Sequence, residues 1–245
     1  MDIGWTIIDP SLDILFEKPE CVLKNVINEY DGKEIQNCIG IQDLWHNVFA
    51  IKFPFDVRFK FDEKESLVMV DDSFSNISQD KIKFFFINNK DHYTKSNPTI
   101  QLSLVQFFSS DSQCTATIIP PIFELEKNPM WQYIRLISGK MNIYDWHRDV
   151  NFAFEWLDKT KEITIKKGET VAYVIFNSEK LDEKFNIIKL DMDGEIKKSY
   201  TRCVFSRKII KRGTRYLLLR NRKQRPKRIV TDGKCPYGFD KLKFW

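Results

Sequence analysis

The feature of this sequence that most constrains its fold is an alternation of apolar and charged residues between Phe55 and Phe61. The apolar members stand at every second position: Phe55, Val57, Phe59 and Phe61. Successive side chains of a strand point to opposite faces, so a period of two places these side chains on one side. The segment is therefore predicted to be a β-strand with one buried face.

Similar runs recur along the middle of the chain and are separated by turn-forming residues. The predicted strands are Leu67 to Val70, Lys81 to Ile87, Thr99 to Phe107, Thr115 to Ile119, Trp131 to Ile137, Met141 to Trp146, Phe152 to Trp156, Ile163 to Lys166, Val171 to Phe176 and Phe185 to Leu190. No helical pattern of about 10 to 15 residues separates them. The series indicates a mainly β protein, with an antiparallel β-sandwich or jelly-roll-like domain rather than a parallel sheet.

The two ends of the chain differ from the predicted β-sandwich core at residues 41–195. Residues 1–40 are predicted to form an irregular N-terminal extension, with one short helical candidate between Pro19 and Tyr30. Residues 196–245 are predicted to form a basic C-terminal arm. Within that arm the pattern leaves helix and strand both open for residues 207–225.

Charge is strongly segregated along the chain. Residues 196–231 carry 14 Lys or Arg residues and no Asp or Glu, which leaves 25 basic and 34 acidic residues elsewhere, a balance of −9. The arm residues expected to bind a polyanion or a partner are Arg207, Lys208, Lys211, Arg212, Arg215, Arg220, Arg222, Lys223, Arg225, Lys227 and Arg228. Such an arm can neutralise nucleic-acid phosphates, or it can dock on the acidic body or on an acidic neighbouring chain.

One histidine motif is typical of an enzyme. His147 and Asp149 form a His-x-Asp step after a predicted strand, as in jelly-roll iron oxygenases that use two histidines and one carboxylate. The second histidine of such a site comes from a later strand, whereas His46 and His92 both precede His147. We therefore predict that His147 and Asp149 do not jointly bind iron, and we expect no metal ligands, catalytic residues or cofactor.

A second segment, Ile163 to Tyr173, is similar to a strand, Lys-Gly-acidic turn and strand of dUTPase-like barrels. The similarity is confined to this segment, because the catalytic-aspartate strand motif and the glycine-rich closing motif of those enzymes are missing. Residues 237–240, Tyr-Gly-Phe-Asp, are a poor substitute for the closing motif. We expect a tight structural hairpin at a sheet edge, in which Gly168 adopts a positive φ.

Several classes of protein are excluded by pattern. The longest uninterrupted apolar run, Val171 to Phe176, has six residues, against the roughly 20 that a membrane-spanning helix needs. The N-terminal residues lack the pattern of a secretory signal. The five cysteines are odd in number and never spaced Cys-x-x-Cys, so the sequence predicts neither a disulfide framework nor a zinc knuckle.

A series of short motifs carries a resemblance to a known family. The motifs are Cys38 to Trp45 with Asn47 and Phe49, Pro54 to Val57, Ile118 to Pro121, Asn142 to Trp146 with Phe152 to Phe154, and Ile165 to Ala172. Their order resembles a β-rich family of unassigned activity in tailed bacteriophages, notably marine T4-like phages, with bacterial members. The resemblance spans about residues 36–178. It implies a β-rich viral protein and transfers no catalytic residue.

Together these observations predict a non-catalytic bacteriophage protein, either a structural component of the virion or a binder of another macromolecule. The expected partners are other phage proteins or further copies of the chain, with nucleic acid as the alternative partner of the basic arm and no membrane. The competing interpretation is a phage-encoded enzyme with a β-barrel pocket, either a metal-dependent oxygenase-like protein or a dUTPase-like nucleotide hydrolase. The expected location is the virion or the host cytoplasm.

Overall fold

The computed structural model describes residues 1–23, 38–62, 67–71, 74–75, 82, 85–89, 97–180, 182–192 and 194–209. The described strands are β1 (Asp2–Ile7), β2 (Glu20–Cys21), β3 (Val48–Lys52), β4 (Val57–Asp62), β5 (Leu67–Val70), β6 (Phe86–Asn89), β7 (Thr99–Ser110), β8 (Cys114–Ile119), β9 (Ile134–Ile137), β10 (Gly139–Asn142), β11 (Asp149–Trp156), β12 (Ile163–Ile165), β13 (Thr170–Ser178) and β14 (Asn186–Lys189). Two α-helices are described, α1 (Ile39–Trp45) and α2 (Gly194–Ile209), with 3₁₀ helices at Pro10–Leu15, Ile122–Glu124 and Pro129–Gln132.

The strands form three sheets. The largest has the order β14-β1-β7-β11-β9, with β6 also paired to β7; the second has the order β10-β8-β13-β3-β2, and the third β12-β4-β5. The pairing of β1 with β14 is parallel, and the other described pairs are antiparallel. This architecture confirms the mainly β, sandwich-like fold expected from the alternating sequence.

A single apolar core joins the three sheets. It contains Trp5 and Phe152 from the largest sheet, Phe176 from the second and Phe59 from the third, all at most 2% exposed. Strand β8 shows the origin of this core plainly, because buried and half-buried side chains alternate along its six residues. The described helices are too short or too polar to cross a bilayer.

The expectation of an irregular N-terminal extension is wrong for residues 2–7. Strand β1 lies inside the largest sheet, where it pairs with β14 on one edge and β7 on the other. Five of its six residues are buried, so the strand has no polar face to produce an alternating pattern. The helical candidate between Pro19 and Tyr30 is described only as far as residue 23; its remainder lies outside the described residues.

Three predicted strands have different bounds in the structure, and local side chains explain two of these differences. The Asn128 side chain accepts a hydrogen bond from the backbone N–H of Met130 and begins a 3₁₀ helix, so β9 starts only at Ile134. The Asn142 side chain accepts from the backbone N–H groups of Tyr144 and Asp145, which turns the chain at the end of β10. The predicted strand at Lys81 to Ile87 likewise begins at Phe86.

The segment around Gly168 is a corner between two sheets, not the predicted hairpin. Strand β12 pairs with β4 in the third sheet, while β13 pairs with β3 and β8 in the second. Gly168 does adopt a positive φ, 83°, as the sequence predicted. The Glu169 carboxylate accepts hydrogen bonds from the Asn128 amide at 2.8 Å and from the Lys166 N–H at 3.0 Å. These contacts give the turn a structural role.

One glycine of β1 is required by close packing. A Cβ atom added at Gly4 would lie 2.8 Å from Cγ of Leu190, which is fully buried. We predict that Gly4→Ala lowers the free energy of unfolding by about 1–3 kcal/mol, because the added methyl group overpacks the site. Urea denaturation measures this loss. The control Gly139→Ala has open space around its Cβ and is expected to change stability by less than about 0.5 kcal/mol.

The double variant Gly4→Ala with Leu190→Ala tests the stated cause. If Leu190 is the obstruction, the double variant loses less stability than the sum of the two single variants, since the new methyl group occupies space that Leu190 vacates. Additive losses would contradict this explanation.

Candidate binding surface on the C-terminal helix

The beginning of the predicted basic arm is the helix α2. After its first residue, Gly194, the helix contains neither glycine nor proline, and its Glu, Lys and Arg residues are good helix formers. Glu195 lies in the first turn, where a negative charge is stabilised by the helix dipole. It accepts a hydrogen bond from Lys198 at 2.7 Å, and this ammonium group lowers the pKa of Glu195.

One face of α2 packs against the outer side of the largest sheet. Ile196 is 2% exposed and joins an apolar cluster with Phe107, Ile188 and Leu190, against which Tyr200 also packs. The rings of Phe107 and Tyr200 meet edge to face, with centroids 6.2 Å apart. The helix is thus fixed to the sandwich through the strands β7 and β14.

A buried polar seam accompanies these apolar contacts. The Nδ1 atom of His147 is hydrogen-bonded to the hydroxyl of Ser199 on α2, and its Nε2 atom lies 3.3 Å from the Ser109 hydroxyl on β7. All three side chains are at most 5% exposed. His147 therefore uses both ring nitrogens to join helix and sheet, which gives it a structural role in this fold.

Asp149, the second member of the His-x-Asp motif, is also engaged at the seam. It accepts a hydrogen bond at 3.1 Å from the Ser103 hydroxyl on β7, and its negative charge acts on the nearby Tyr200 phenol of α2. Burial and the nearby Asp149 charge raise the pKa of Tyr200 to about 12, which the Arg148 charge partly opposes. The motif residues thus lie side by side, and both contact α2.

Two arginines flank the same turn of the helix. Burial raises the pKa of the Cys203 thiol, while the charges of Arg202 and Arg148 act in the opposite direction. Arg148 is mostly buried, lies 3.7 Å from Asp149 in an ion pair, and has an Nε atom without a hydrogen-bond partner. Positive charge therefore lies close to the seam as well as on the exposed side of the helix.

The exposed side of α2 forms an open, positively charged depression of about 560 Å³. The described residues that line it are Gly194, Lys197, Lys198, Thr201 and Arg202. Positions three or four apart on a helix share a side, and the members of this set are related by such spacings, which explains why these residues gather. We call these five residues the basic face. Lys198, one of its three cations, forms an ion pair with Glu195 in the first turn of the helix.

The structure places only the first two predicted binding residues. Arg207 and Lys208 lie in the last turn of α2, so this part of the segment 207–225 is helical. The other nine lie outside the described residues: Lys211, Arg212, Arg215, Arg220, Arg222, Lys223, Arg225, Lys227 and Arg228. Lys197, Lys198 and Arg202 belong to the basic stretch of the sequence but were not among the predicted binding residues. They lie on one side only because the segment is a helix, which the sequence pattern did not predict.

The described part of the chain has little of the pocket or metal-ligand geometry that the enzymatic interpretations require. A space between the first and third sheets, lined by Phe59, Leu102 and Phe154 among others, holds only about 10 Å³, which is at the lower limit for one water molecule. No group of three His, Cys, Asp or Glu side chains able to hold a metal ion occurs among the described residues.

A surface depression of about 250 Å³ is lined by Asp43, His46, Asn47, Asp182, Glu183 and Lys184. Its polar groups serve the fold. The Asn47 amide donates to the carbonyl of Glu183 at 2.8 Å and accepts from the N–H of Phe185. The Glu183 carboxylate accepts from the Ser178 hydroxyl. These bonds hold the segment before β14 against the end of α1.

Comparison with known proteins gives weak structural likenesses. No family model matches the chain, and no curated protein matches it. Among solved structures, the dUTPase of Staphylococcus bacteriophage 80alpha, solved with dUpNHpp, shares 9% sequence identity with a TM-score of 0.36. The match covers 71% of this chain and 88% of that one. A likeness of this size carries no argument about activity.

The surroundings of Tyr200 predict how the stability of the protein changes at alkaline pH. Because the folded protein holds the pKa of Tyr200 at about 12, above the ordinary value of 10.0, its contribution to stability is complete below pH 10 and is lost as the pH rises toward 12. At neutral pH, Tyr200→Phe is expected to lower the free energy of unfolding by about 1 kcal/mol, through loss of the polar interaction between the phenol and Asp149.

Only the wild type has a phenol to ionise at this position, so its advantage over Tyr200→Phe should vanish at about pH 10.7 and reverse by about pH 11.5. Urea denaturation at several pH values measures the difference between them. A difference that stays constant over this range would contradict the assigned contact.

Proposed function

We propose that this protein is a non-catalytic component of a tailed bacteriophage that binds another macromolecule through the basic face of α2 and the arm that follows it. The observation that carries the proposal is the way in which α2 is held on the sheet. One side of the helix is fixed by buried contacts to Phe107 and His147, and the opposite side presents Lys197, Lys198 and Arg202. A cationic surface held in this way is suited to contact and contributes no reacting group.

The interior of the described domain supports a binding role over an enzymatic one. Large aromatic side chains fill the space between the sheets, including Trp156, Phe152 and Phe176. The residues of the oxygenase-like motif are used by the seam, and the dUTPase-like segment is a structural corner. No observation on the described residues favours a specific reaction, so we propose none.

The assignment to phages rests on the order of the motifs between residues 36 and 178. The charge balance supports association between proteins, because the chain outside residues 196–231 carries an excess of nine negative charges. The acidic body of one copy can thus attract the basic arm of the next. Exposed ion pairs contribute about 0–1 kcal/mol each, so such an assembly needs many of them at once.

This proposal predicts salt-sensitive self-association and presence in the phage particle. Sedimentation velocity of the full chain over a salt series is expected to show oligomers at low salt that dissociate as salt screens the charges. Mass spectrometry of purified virions should detect the protein. A chain that is monomeric at every salt concentration and absent from virions would contradict the assembly proposal.

A further inference from the structure

The basic face also points to one class of partner. Building on the proposed function, we infer that Lys197, Lys198, Thr201 and Arg202 bind the phosphate backbone of nucleic acid without reading its sequence. The inference concerns the fixed helix α2, and it extends to the arm only through the charges that follow in the sequence.

The chemistry of the basic face matches phosphate. Lys197 and Lys198 supply ammonium donors, Arg202 a guanidinium group and Thr201 a hydroxyl, all of which are common partners of phosphate oxygens. Among the described residues that line this face there is no Asn, Gln or aromatic side chain to read a base edge or stack on a base. Binding is therefore expected to depend on charge rather than on base sequence.

A protein partner fits this face less well. Protein interfaces normally have an apolar or aromatic centre, and their lysines are depleted there. The basic face has two lysines and no large apolar side chain, because Ile196 and Tyr200 are turned toward the sheet. A phosphate backbone requires no such anchor, since its affinity comes largely from released counterions.

The length of the helix suits a nucleic-acid backbone. At about 1.5 Å per residue, Lys197 and Lys208 lie roughly 16 Å apart along α2. Duplex DNA carries about one negative charge per 1.7 Å of axis when both strands are counted, so about nine phosphates lie along a duplex segment of that length, and part of them can face the helix. The helix needs no folding on binding, because Ser199 and Tyr200 already hold it on the sheet.

The experiment measures binding of the full chain to fluorescent 30-base-pair duplexes of several unrelated sequences, over a range of salt concentrations. Wild-type affinity is expected to fall steeply with salt and to differ little among sequences. The variant Lys197→Gln, Lys198→Gln, Arg202→Gln should reduce the slope of log affinity against log salt by about 3, one for each lost phosphate contact.

Two full-length control variants make the result specific. Lys161→Gln, Lys167→Gln, Lys180→Gln removes the same charge from exposed positions elsewhere and should leave the slope close to wild type. Arg220→Gln, Arg222→Gln, Lys223→Gln removes three charges of the arm and reports the contribution of that segment. Circular dichroism and thermal melting check that the basic-face variant keeps the wild-type fold.

Each other outcome overturns the inference in a distinguishable way. A basic-face variant that binds like the wild type, while the arm variant is impaired, would place the phosphate contacts in the arm. A strong preference for one duplex would contradict backbone recognition. Absence of DNA binding together with salt-sensitive self-association would overturn the inference and leave the proposed function standing, with a protein as the partner.

Discussion

The fold depends on the pairing of one long strand, β7, which uses both of its edges. Along one edge it pairs with β6 and then β1, and along the other with β11. Its even-numbered residues, such as Leu102 and Phe108, enter the core, while Phe107 and Ser109 face outward and receive helix α2. A single strand thus fixes the sandwich interior and the platform for the binding surface.

The position of α2 on β7 explains why polar residues are buried between the helix and the sheet. A buried imidazole is costly unless its ring nitrogens have partners, and the Ser109 and Ser199 hydroxyls supply them from two different elements. Apolar packing of Ile196 holds the helix against the sheet, and the hydrogen bonds fix the position of the helix along the sheet. The cations on the opposite side are then held in a defined pattern, which lowers the conformational entropy that binding has to remove.

The sequence predicted the alternating strands well, because residues such as Phe59 and Ala116 face the core between polar neighbours. It failed for β1, whose buried residues do not alternate, and for α2, whose inner side uses Ser199, Tyr200 and Cys203 in place of an apolar stripe. The partners of His147 are 38 and 52 residues away, so no local motif could reveal its role. The sequence showed that the arm is positively charged. Only the helix shows that Lys197, Lys198 and Arg202 lie on one side of it.

Hydrogen–deuterium exchange of the free full-length chain tests the central claim, that α2 is held on the outer face of β7. If the helix is docked as described, the amides of Ser199 to Cys203 exchange on a time scale close to that of the β7 amides. Exchange of these helix amides at the rate of an unstructured chain, while β7 stays protected, would contradict the account.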